Sequence, residues 1–302
     1  MSLNFKEITL ADRSWMNPLF ALSERGSLEY NFTTSFIWRH IYSFRAMELG
    51  GYLILVSDPE NPSFLFPPGQ GPLEPVITAL SAYSHEKGVP LCFNTVLAAD
   101  KKRLEQLYPG KFQFELLRDG ADYLYDRESL AELTGKKLSS KRNHIHRFLD
   151  NHPDWRYEPL TKDNLEDARQ MHKAWCIQAG CGESAGLTDE SCAVEQAFRH
   201  YFDLKLDGGL IRAGGQVMAF TMGEPLNEST YLVHVEKAFY DIQGAYPMIN
   251  QQFVQHACAG YSLVNREEDA GEEGLRKAKL SYQPVSLVEK YSATLLSKEE
   301  AL

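Results

Sequence analysis

The chain has 302 residues, enough for one large domain or two ordinary ones, and 43% of them are hydrophobic. Its formal net charge of -10 argues against extensive binding along nucleic acid, because neutralising many phosphates requires a broad basic surface. No apolar run is long enough to span a bilayer, and the amino end lacks the apolar core of a signal peptide. The five cysteines, an odd and dispersed number, indicate reduced thiols. We therefore expect a cytoplasmic, mixed α/β protein that does not bind DNA.

Glycine and proline divide the first half of the chain into short elements. The pattern predicts a hairpin, a strand, a helix that opens with glycines, a buried strand, a short helix and one or two closing strands. These elements cover residues 43–58, 63–68, 69–88, 89–96, 98–110 and 111–126.

The second half repeats this order, from a hairpin through a glycine turn and helix to a closing strand. Its elements cover residues 208–225, 229–239, 242–260, 261–267, 272–284 and 285–295. The repeat predicts an internal duplication into two α/β units. We expect the first unit at 1–135 and the second at 136–302, with linking helices over 136–206.

The order of elements resembles the GCN5-related N-acetyltransferase (GNAT) fold. Two segments, DYLYDRESLAELTGKKLSSKRNHIHRF (122–148) and VNREEDAGEEGLRKAKLSYQP (264–284), further resemble a bacterial family grouped with the phosphatidylglycerol lysyltransferase C-terminal domain. That domain is related to the Fem-type peptidyltransferases, and the resemblance covers nearly the whole chain. It implies two tandem GNAT-like units and transfer of an acyl or aminoacyl group to an amine or hydroxyl acceptor.

The resemblance also implies the classes of substrate. The donor would be an acyl-CoA or the 3′ end of an aminoacyl-tRNA, and the acceptor a small molecule or lipid head group, with no cofactor required. In GNAT proteins the N–H groups of a glycine turn hold a pyrophosphate, which would assign Gln243, Gly244 and Ala245 to cofactor binding. The turn departs from the usual pattern because it has a single glycine, and Pro247 removes one N–H.

A basic stretch at 135–148, GKKLSSKRNHIHRF, is predicted to be helical. At 100° per residue Arg142 falls on the apolar stripe with Leu138, and Lys141 and Lys137 lie on its flank. A guanidinium on a core-facing stripe must be paired, so two interpretations stay open. Arg142 forms a salt bridge with a buried carboxylate, or it binds a phosphate or carboxylate of a ligand together with Lys141 and Lys137.

The strand at 229–239 carries a second candidate group. Strict alternation puts His234 and Glu236 on one face of this strand, whose end lines the active cleft in acetyltransferases. Glu236 is then a candidate general base and His234 a substrate contact. The alternative is a hydrogen-bonded histidine and a carboxylate at the rim of the sheet.

The stretch VNREEDAGEEGLRKAKLSY follows a buried strand, where open α/β sheets place their sites. Asp269 or Glu267 is predicted to accept a proton, while cationic residues of the following helix bind a carboxylate or phosphate. The alternative is a solvated helix face with charge pairs four residues apart. The predicted substrate contacts here are Asn265, Arg276, Lys279 and Tyr282.

Other chemistries have less support. A zinc site could draw on His172, Cys176, Cys181 and Cys192, but no Cys-x-x-Cys pair is present, so we predict no metal site. No sequence motif for a nucleophilic serine or cysteine is present, which favours direct attack on the donor. The alternative function is a non-catalytic GNAT-like module that binds an anionic ligand.

Overall fold

The computed structural model describes residues 3–22 and 26–296 and contains two units, each built on a seven-stranded sheet. Unit 1 comprises the chain up to Ala121 together with the segment from Val288, and unit 2 runs from Asp122 to Leu287. The mixed α/β class predicted from the pattern of elements is confirmed.

Unit 1 has the strand order β1-β2-β3-β4-β5-β14-β6. Its strands are β1 (Lys6–Glu7), β2 (Arg45–Leu49), β3 (Tyr52–Ser57), β4 (Ser63–Leu65), β5 (Cys92–Leu97), β6 (Phe112–Leu116) and β14 (Lys290–Leu295). Its helices are α1 (Arg13–Ala21), α2 (Phe32–Ile37), α3 (Glu74–Glu86) and α4 (Ala98–Leu107), with a 3-10 turn at Leu10–Asp12.

Unit 2 has the strand order β8-β9-β10-β11-β12-β7-β13. Its strands are β7 (Asp122–Asp126), β8 (Arg156–Pro159), β9 (Asp207–Ala213), β10 (Gln216–Pro225), β11 (Thr230–Ala238), β12 (Leu263–Asn265) and β13 (Ser286–Val288). Its helices are α5 (Arg127–Glu132), α6 (Ser139–Asn151), α7 (Leu165–Ala179), α8 (Ala185–Arg199), α9 (Ala245–Ala257) and α10 (Glu273–Leu280), with a 3-10 turn at Cys181–Glu183.

The two sheets have the same arrangement. In each, the fourth and fifth strands are parallel, β4 with β5 and β11 with β12, and a helix follows the fourth strand. The order of elements predicted to repeat does repeat in the structure. In both units a helix packs on the parallel pair, α3 in unit 1 and α9 in unit 2, and its buried side chains join the core of the sheet.

The sixth strand of each sheet comes from a distant part of the chain. β14, at the carboxy end, lies between β5 and β6 and is antiparallel to both. β7, which precedes the predicted boundary at 135/136, lies between β12 and β13 of unit 2. The division in the structure therefore differs from the predicted one, because an alternating pattern identifies a strand without showing which sheet it joins.

None of the helices within residues 3–22 and 26–296 is long and apolar enough to cross a bilayer.

The strand exchange makes unit 2 continuous in sequence and unit 1 discontinuous. We expect a fragment of residues 122–288 to unfold cooperatively, since it contains every strand of its sheet. A fragment of residues 1–121 lacks β14, so β5 and β6 lose their shared partner and the buried Ala293 and Leu295, and we expect no cooperative transition. Circular dichroism during urea titration measures both.

A matched control joins residues 1–121 to residues 288–296 through a glycine–serine linker. This fragment should recover the cooperative transition. Cooperative folding of residues 1–121 without β14 would contradict the role assigned to the exchanged strand.

Candidate functional site

The site is built where β11 and β12 separate. Their parallel pairing runs from Thr230 opposite Leu263 to Leu232 opposite Asn265, and β11 then continues to Ala238 while β12 ends. Beyond this point the backbones no longer bond to each other. Side chains of β11 and of the loop after β12 form hydrogen bonds across this gap, and Glu224 of β10 also bonds to His234.

A β-bulge in β11 decides which side chains meet. Met222 of β10 pairs with Val235 and Gly223 pairs with Val233, so His234 is the extra residue. The bulge breaks the alternation that predicted a shared face for His234 and Glu236. Glu236 instead hydrogen bonds to α9, the helix against which Tyr231 and Val233 pack, and His234 enters a different network.

His234 lies between two carboxylates. Its Nε2 is 3.1 Å from Oε1 of Glu224 on β10, and its Nδ1 is 3.0 Å from Oε1 of Glu267 after β12. The imidazole is 2% exposed and Glu267, at 22%, is the most exposed of the three side chains. Burial alone lowers the pKa of His234, but the hydrogen bonds to Glu224 and Glu267 outweigh it and raise the pKa to about 9. At neutral pH this group is an imidazolium that donates to both carboxylates.

A second ion pair crosses the same gap. Nη2 of Arg266 donates to Oε1 of Glu236 over 2.7 Å, and Nδ2 of Asn250 on α9 donates to Oε2 over 2.8 Å. Both oxygens of Glu236 are therefore engaged, which makes it a poor acceptor for a substrate proton. Nη1 of Arg266 and Oδ1 of Asn250 are buried and have no hydrogen-bond partner within the described ranges.

Aromatic rings and a lysine surround this second pair. The Arg266 guanidinium lies 5.5 Å from the ring centre of Tyr125 and 4.6 Å from that of Tyr282. Nζ of Lys141, on α6, lies 4.0 Å from the ring centre of Tyr282. Burial and the charge of Arg266 lower the pKa of Lys141 to about 8. Lys141, Tyr282 and Arg266 thus form a cationic and aromatic cluster, and the predicted roles of Lys141 and Tyr282 as substrate contacts stay predictions.

The loop after β12 is fixed by its own side chains. Asn265 donates through Nδ2 to Asp122 over 2.9 Å and accepts from the N–H of Glu267 over 2.7 Å. Asp269 is fully buried and accepts from Tyr123, from the N–H of Gly271 and twice from Arg276. Burial alone raises the pKa of Asp269, but these hydrogen bonds hold it well below its usual range. Asp269 is therefore unsuited to be a base.

Two predicted ligand contacts stabilise this loop instead. The Arg276 guanidinium forms a two-point contact with Asp269, with distances of 2.9 and 2.6 Å. Nζ of Lys279 donates to the carbonyl oxygens of Arg266, Glu267 and Glu268. Both cations therefore bind protein groups, and the positions of Arg266 and Glu267 depend on them.

The guanidinium of Arg142, on the basic helix α6, binds backbone carbonyl oxygens, which is a third arrangement beside the two interpretations left open by the sequence. Nη1 of Arg142 donates to the carbonyl oxygens of Leu133 and Gly135, at and just beyond the end of α5. It thus satisfies carbonyls that a helix end leaves without partners. Lys137 is exposed on the segment before α6 and touches none of the groups above.

The glycine turn before α9 is closed from one side. Gly244 has φ +87°, and a Cβ there would lie 2.2 Å from the carbonyl oxygen of His144 on α6. A cleft of about 380 Å³ lies beside it, lined by the turn, His144, Tyr240 and Asp241, without a lysine or arginine. Gly244 therefore meets α6 closely, Ala245 is buried, and Gln243 and Gly244 both line the cleft.

The corresponding turn of unit 1, at residues 69–71, packs against the turn of the preceding hairpin at Gly51. The N–H of Gln70 donates to the carbonyl oxygen of Gly51, and a Cβ at Gly69 would lie 2.4 Å from that same oxygen.

The cysteines and histidine considered for zinc do not assemble. Nε2 of His172 lies 3.2 Å from Oγ of Ser191 and 3.9 Å from Sγ of Cys176, and Cys192 is exposed. No group of three or more His, Cys, Asp or Glu side chains in residues 3–22 and 26–296 could hold a metal ion.

Comparison with known proteins places the chain in a family. The family model for the phosphatidylglycerol lysyltransferase C-terminal domain matches residues 20–294. The chain belongs to this family. A conserved protein of unknown function from Bacteroides thetaiotaomicron is 38% identical, with a TM-score of 0.92 over 97% of this chain and 100% of that chain.

More distant structures agree on the fold. The C-terminal domain of a protein from Agrobacterium fabrum, described as a lysylphosphatidylglycerol synthetase, has a TM-score of 0.67 at 14% identity, over 95% of this chain and 92% of that one. A GNAT-family acetyltransferase from Colwellia psychrerythraea has a TM-score of 0.51 at 10% identity, over 98% and 100%. The predicted tandem GNAT architecture is confirmed. A curated relative, an uncharacterized protein of Mycoplasmoides gallisepticum, is 23% identical over 60% of this chain and 59% of its own length.

Glu224, Asn250 and Arg266 were not among the site residues predicted from the sequence. Glu224 ends the long β10 strand of a hairpin, and its partner Leu232 lies two residues from His234, so the hairpin register would have placed the carboxylate near the imidazole. Asn250 is one turn beyond Tyr246 on α9, and its only signal is a polar residue on an otherwise buried helix face.

The pH dependence of stability tests the His234 network. The folded state holds a proton that the unfolded histidine releases near its ordinary pKa of 6.5, so this stabilisation is complete below 6.5 and is lost as the pH rises through about 9. We expect H234Q to remove that part of the pH dependence, measured by urea unfolding between pH 6 and 10. H146Q, which changes an exposed histidine of α6, is the control. Parallel profiles for H234Q and the wild type would contradict the assignment.

A second substitution tests the structural role of Lys279. We expect Lys279→Met to lower the free energy of unfolding by about 3 kcal/mol, because three carbonyl oxygens lose their common donor. Lys277→Met, on the exposed side of α10, should change it by less than about 0.5 kcal/mol. Equal effects in urea titration would show that Lys279 does not hold the loop.

Proposed function

We propose that unit 2 transfers an aminoacyl or related acyl group from an activated ester to an amine or hydroxyl acceptor. The observation that carries the proposal is the buried Glu224–His234–Glu267 triad at the separation of β11 and β12. A partly exposed carboxylate that is held by a doubly hydrogen-bonded imidazolium can take up a proton and return it within one site. The family description adds lysine as the transferred group and phosphatidylglycerol as the acceptor, and these are the first substrates to test.

In the proposed reaction the acceptor attacks the ester carbonyl directly. Glu267 takes a proton from the attacking hydroxyl or amine. The new ester or amide bond forms, and the bond to the leaving oxygen breaks. Glu267 then returns this proton to the leaving oxygen, while the imidazolium of His234 keeps both of its N–H groups on Glu224 and Glu267. Glu224 stays ionised and keeps His234 oriented, and Nη1 of Arg266 is the candidate donor to the oxyanion.

An ester donor is favoured over an acyl-CoA. In this site two side-chain pairs, His234 with Glu267 and Arg266 with Glu236, bridge the gap that a thioester arm would have to enter. The cleft beside the turn at Gly244 also has no lysine or arginine in its lining that could pair with a pyrophosphate. The 3′ end of an aminoacyl-tRNA carries an ester and requires only local contacts, which is compatible with the net charge of -10.

The test is a transfer assay with the purified protein. Radiolabelled lysyl-tRNA or acetyl-CoA is the donor, phosphatidylglycerol vesicles are the acceptor, and product lipid is separated by thin-layer chromatography. We expect activity with lysyl-tRNA, reduced at least about 100-fold in kcat by E267Q, because a general base contributes at least that factor. E273Q, at the exposed start of α10, is the matched control and should keep full activity.

The second candidate is a ligand-binding module without transfer chemistry, favoured by the same two bridging pairs. It predicts that labelled donor or acceptor binds while no product forms with either donor. Product formation that E267Q leaves unchanged would refute the mechanism, whereas binding without product would support the module.

A further inference from the structure

The end of α7 brings two cysteines together that the proposed transfer reaction does not use. Cys176 lies in the last turn of α7, and Cys181 follows Gly180, which has the left-handed conformation with φ +71°. The N–H of Gly180 donates to the carbonyl oxygens of Cys176 and Ile177. In helix caps of this kind the side chain after the glycine commonly contacts the side chain four residues before it. Here these side chains are Cys181 and Cys176, and their thiols are hydrogen bonded to each other.

The two thiols have different environments. Cys176 is partly exposed, whereas Cys181 is buried, with 7% of its surface exposed. Burial and the hydrogen bond with Cys176 raise the pKa of Cys181 to about 12. Because the thiolate is the reactive form of cysteine, a reagent from solvent reacts first at Cys176.

A proton acceptor lies close to Cys176. Its Sγ donates to Oγ of Ser191 over 3.3 Å, and that Oγ lies 3.2 Å from Nε2 of His172. Burial and the charge of Lys237 lower the pKa of His172, so its imidazole is neutral at pH 7 and one ring nitrogen is an acceptor. Ser191 therefore connects the thiol of Cys176 to a base that can take its proton.

We propose that Cys176 and Cys181 form a reversible disulfide by exchange with a small disulfide such as oxidised glutathione. The Cys176 thiolate attacks one sulfur of glutathione disulfide, and a mixed disulfide forms while one glutathione leaves and takes up the proton. Cys181 then loses its proton and attacks Sγ of Cys176, and the second glutathione leaves. Two protein thiols are oxidised and one glutathione disulfide is reduced to two glutathiones, so an excess of a reducing dithiol reverses the reaction.

The first step of this exchange favours the second. Cys176 contributes to the raised pKa of Cys181 through its hydrogen bond and its charge, whereas Lys237 acts in the opposite direction. A mixed disulfide at Cys176 has no thiolate charge and no S–H group, while the ammonium of Lys237 remains. Cys181 therefore becomes a better nucleophile once Cys176 has reacted, which is the behaviour of a resolving cysteine.

Peptide mapping of the folded full chain tests the proposal. The protein is incubated with oxidised glutathione, free thiols are blocked with iodoacetamide, and the chain is cleaved after Lys173 and Glu183. The resulting peptide, residues 174–183, contains Cys176 and Cys181 but not Cys192. We expect mass spectrometry to show this peptide without its two thiol hydrogens, and with both cysteines alkylated after treatment with dithiothreitol. Cys192→Ser, which removes an exposed thiol of α8, is the matched control and should give the same result.

Single variants separate the two steps. We expect Cys181→Ser to accumulate glutathione on Cys176, and Cys176→Ser to react at Cys181 at least about tenfold more slowly, because a buried thiol with a high pKa is a poor nucleophile. Circular dichroism checks that each variant is folded. A peptide 174–183 that keeps both thiols in the folded wild type would overturn the proposal, as would a disulfide that forms only in urea. Equal rates of glutathione addition in the two variants would also contradict it.

Discussion

The separation of β11 from β12 after Leu232 and Asn265 is the constraint on which unit 2 depends. Where the backbones part, their polar groups and those of the next loop need partners that a regular ladder would have supplied. Polar side chains supply these partners: Lys279 donates to three carbonyl oxygens and Asn265 accepts from the N–H of Glu267. Ion pairs between side chains also cross the gap. The charged side chains that complete the fold are thereby brought together and removed from water. They include an imidazolium beside a carboxylate, His234 with Glu267, and such desolvated charge pairs are typical of functional sites.

The bulge at His234 separates these charges into two sets. Without the extra residue, His234 and Glu236 would share a face and compete for the same partners. With it, Glu236 turns to Arg266 and Asn250, and His234 turns to Glu224 and Glu267. One network thus has both carboxylate oxygens occupied and is mainly structural. The other retains a partly exposed carboxylate beside a cationic imidazole, and this asymmetry distinguishes the candidate catalytic set.

The sequence predicted much of this fold, because periodicity and glycine turns report local structure directly. It identified the repeated order of elements. It could not show that β7 and β14 exchange sheets, since strand pairing is a long-range property. Nor could it show the bulge, which inverts the face of every residue after His234. The sequence also could not show that Arg276 and Lys279 bind the loop that contains Asp269. A charged side chain has the same spacing on a helix whether it binds a ligand or the preceding loop.

The positive charges of the basic stretch 135–148 are distributed over several different environments. Arg142 donates to carbonyl oxygens at and just beyond the end of α5, Lys141 lies over the ring of Tyr282, and Lys137 is exposed. These three cations therefore point to three different environments and do not form one phosphate-binding face. Such an arrangement cannot support a long track of nucleic acid, because each phosphate contact requires a cation along a continuous surface. If a tRNA supplies the ester, unit 2 must recognise it through its terminal nucleotide and the transferred group. Specificity would then depend on the groups within reach of Glu267 and Arg266 more than on the charge of the whole protein.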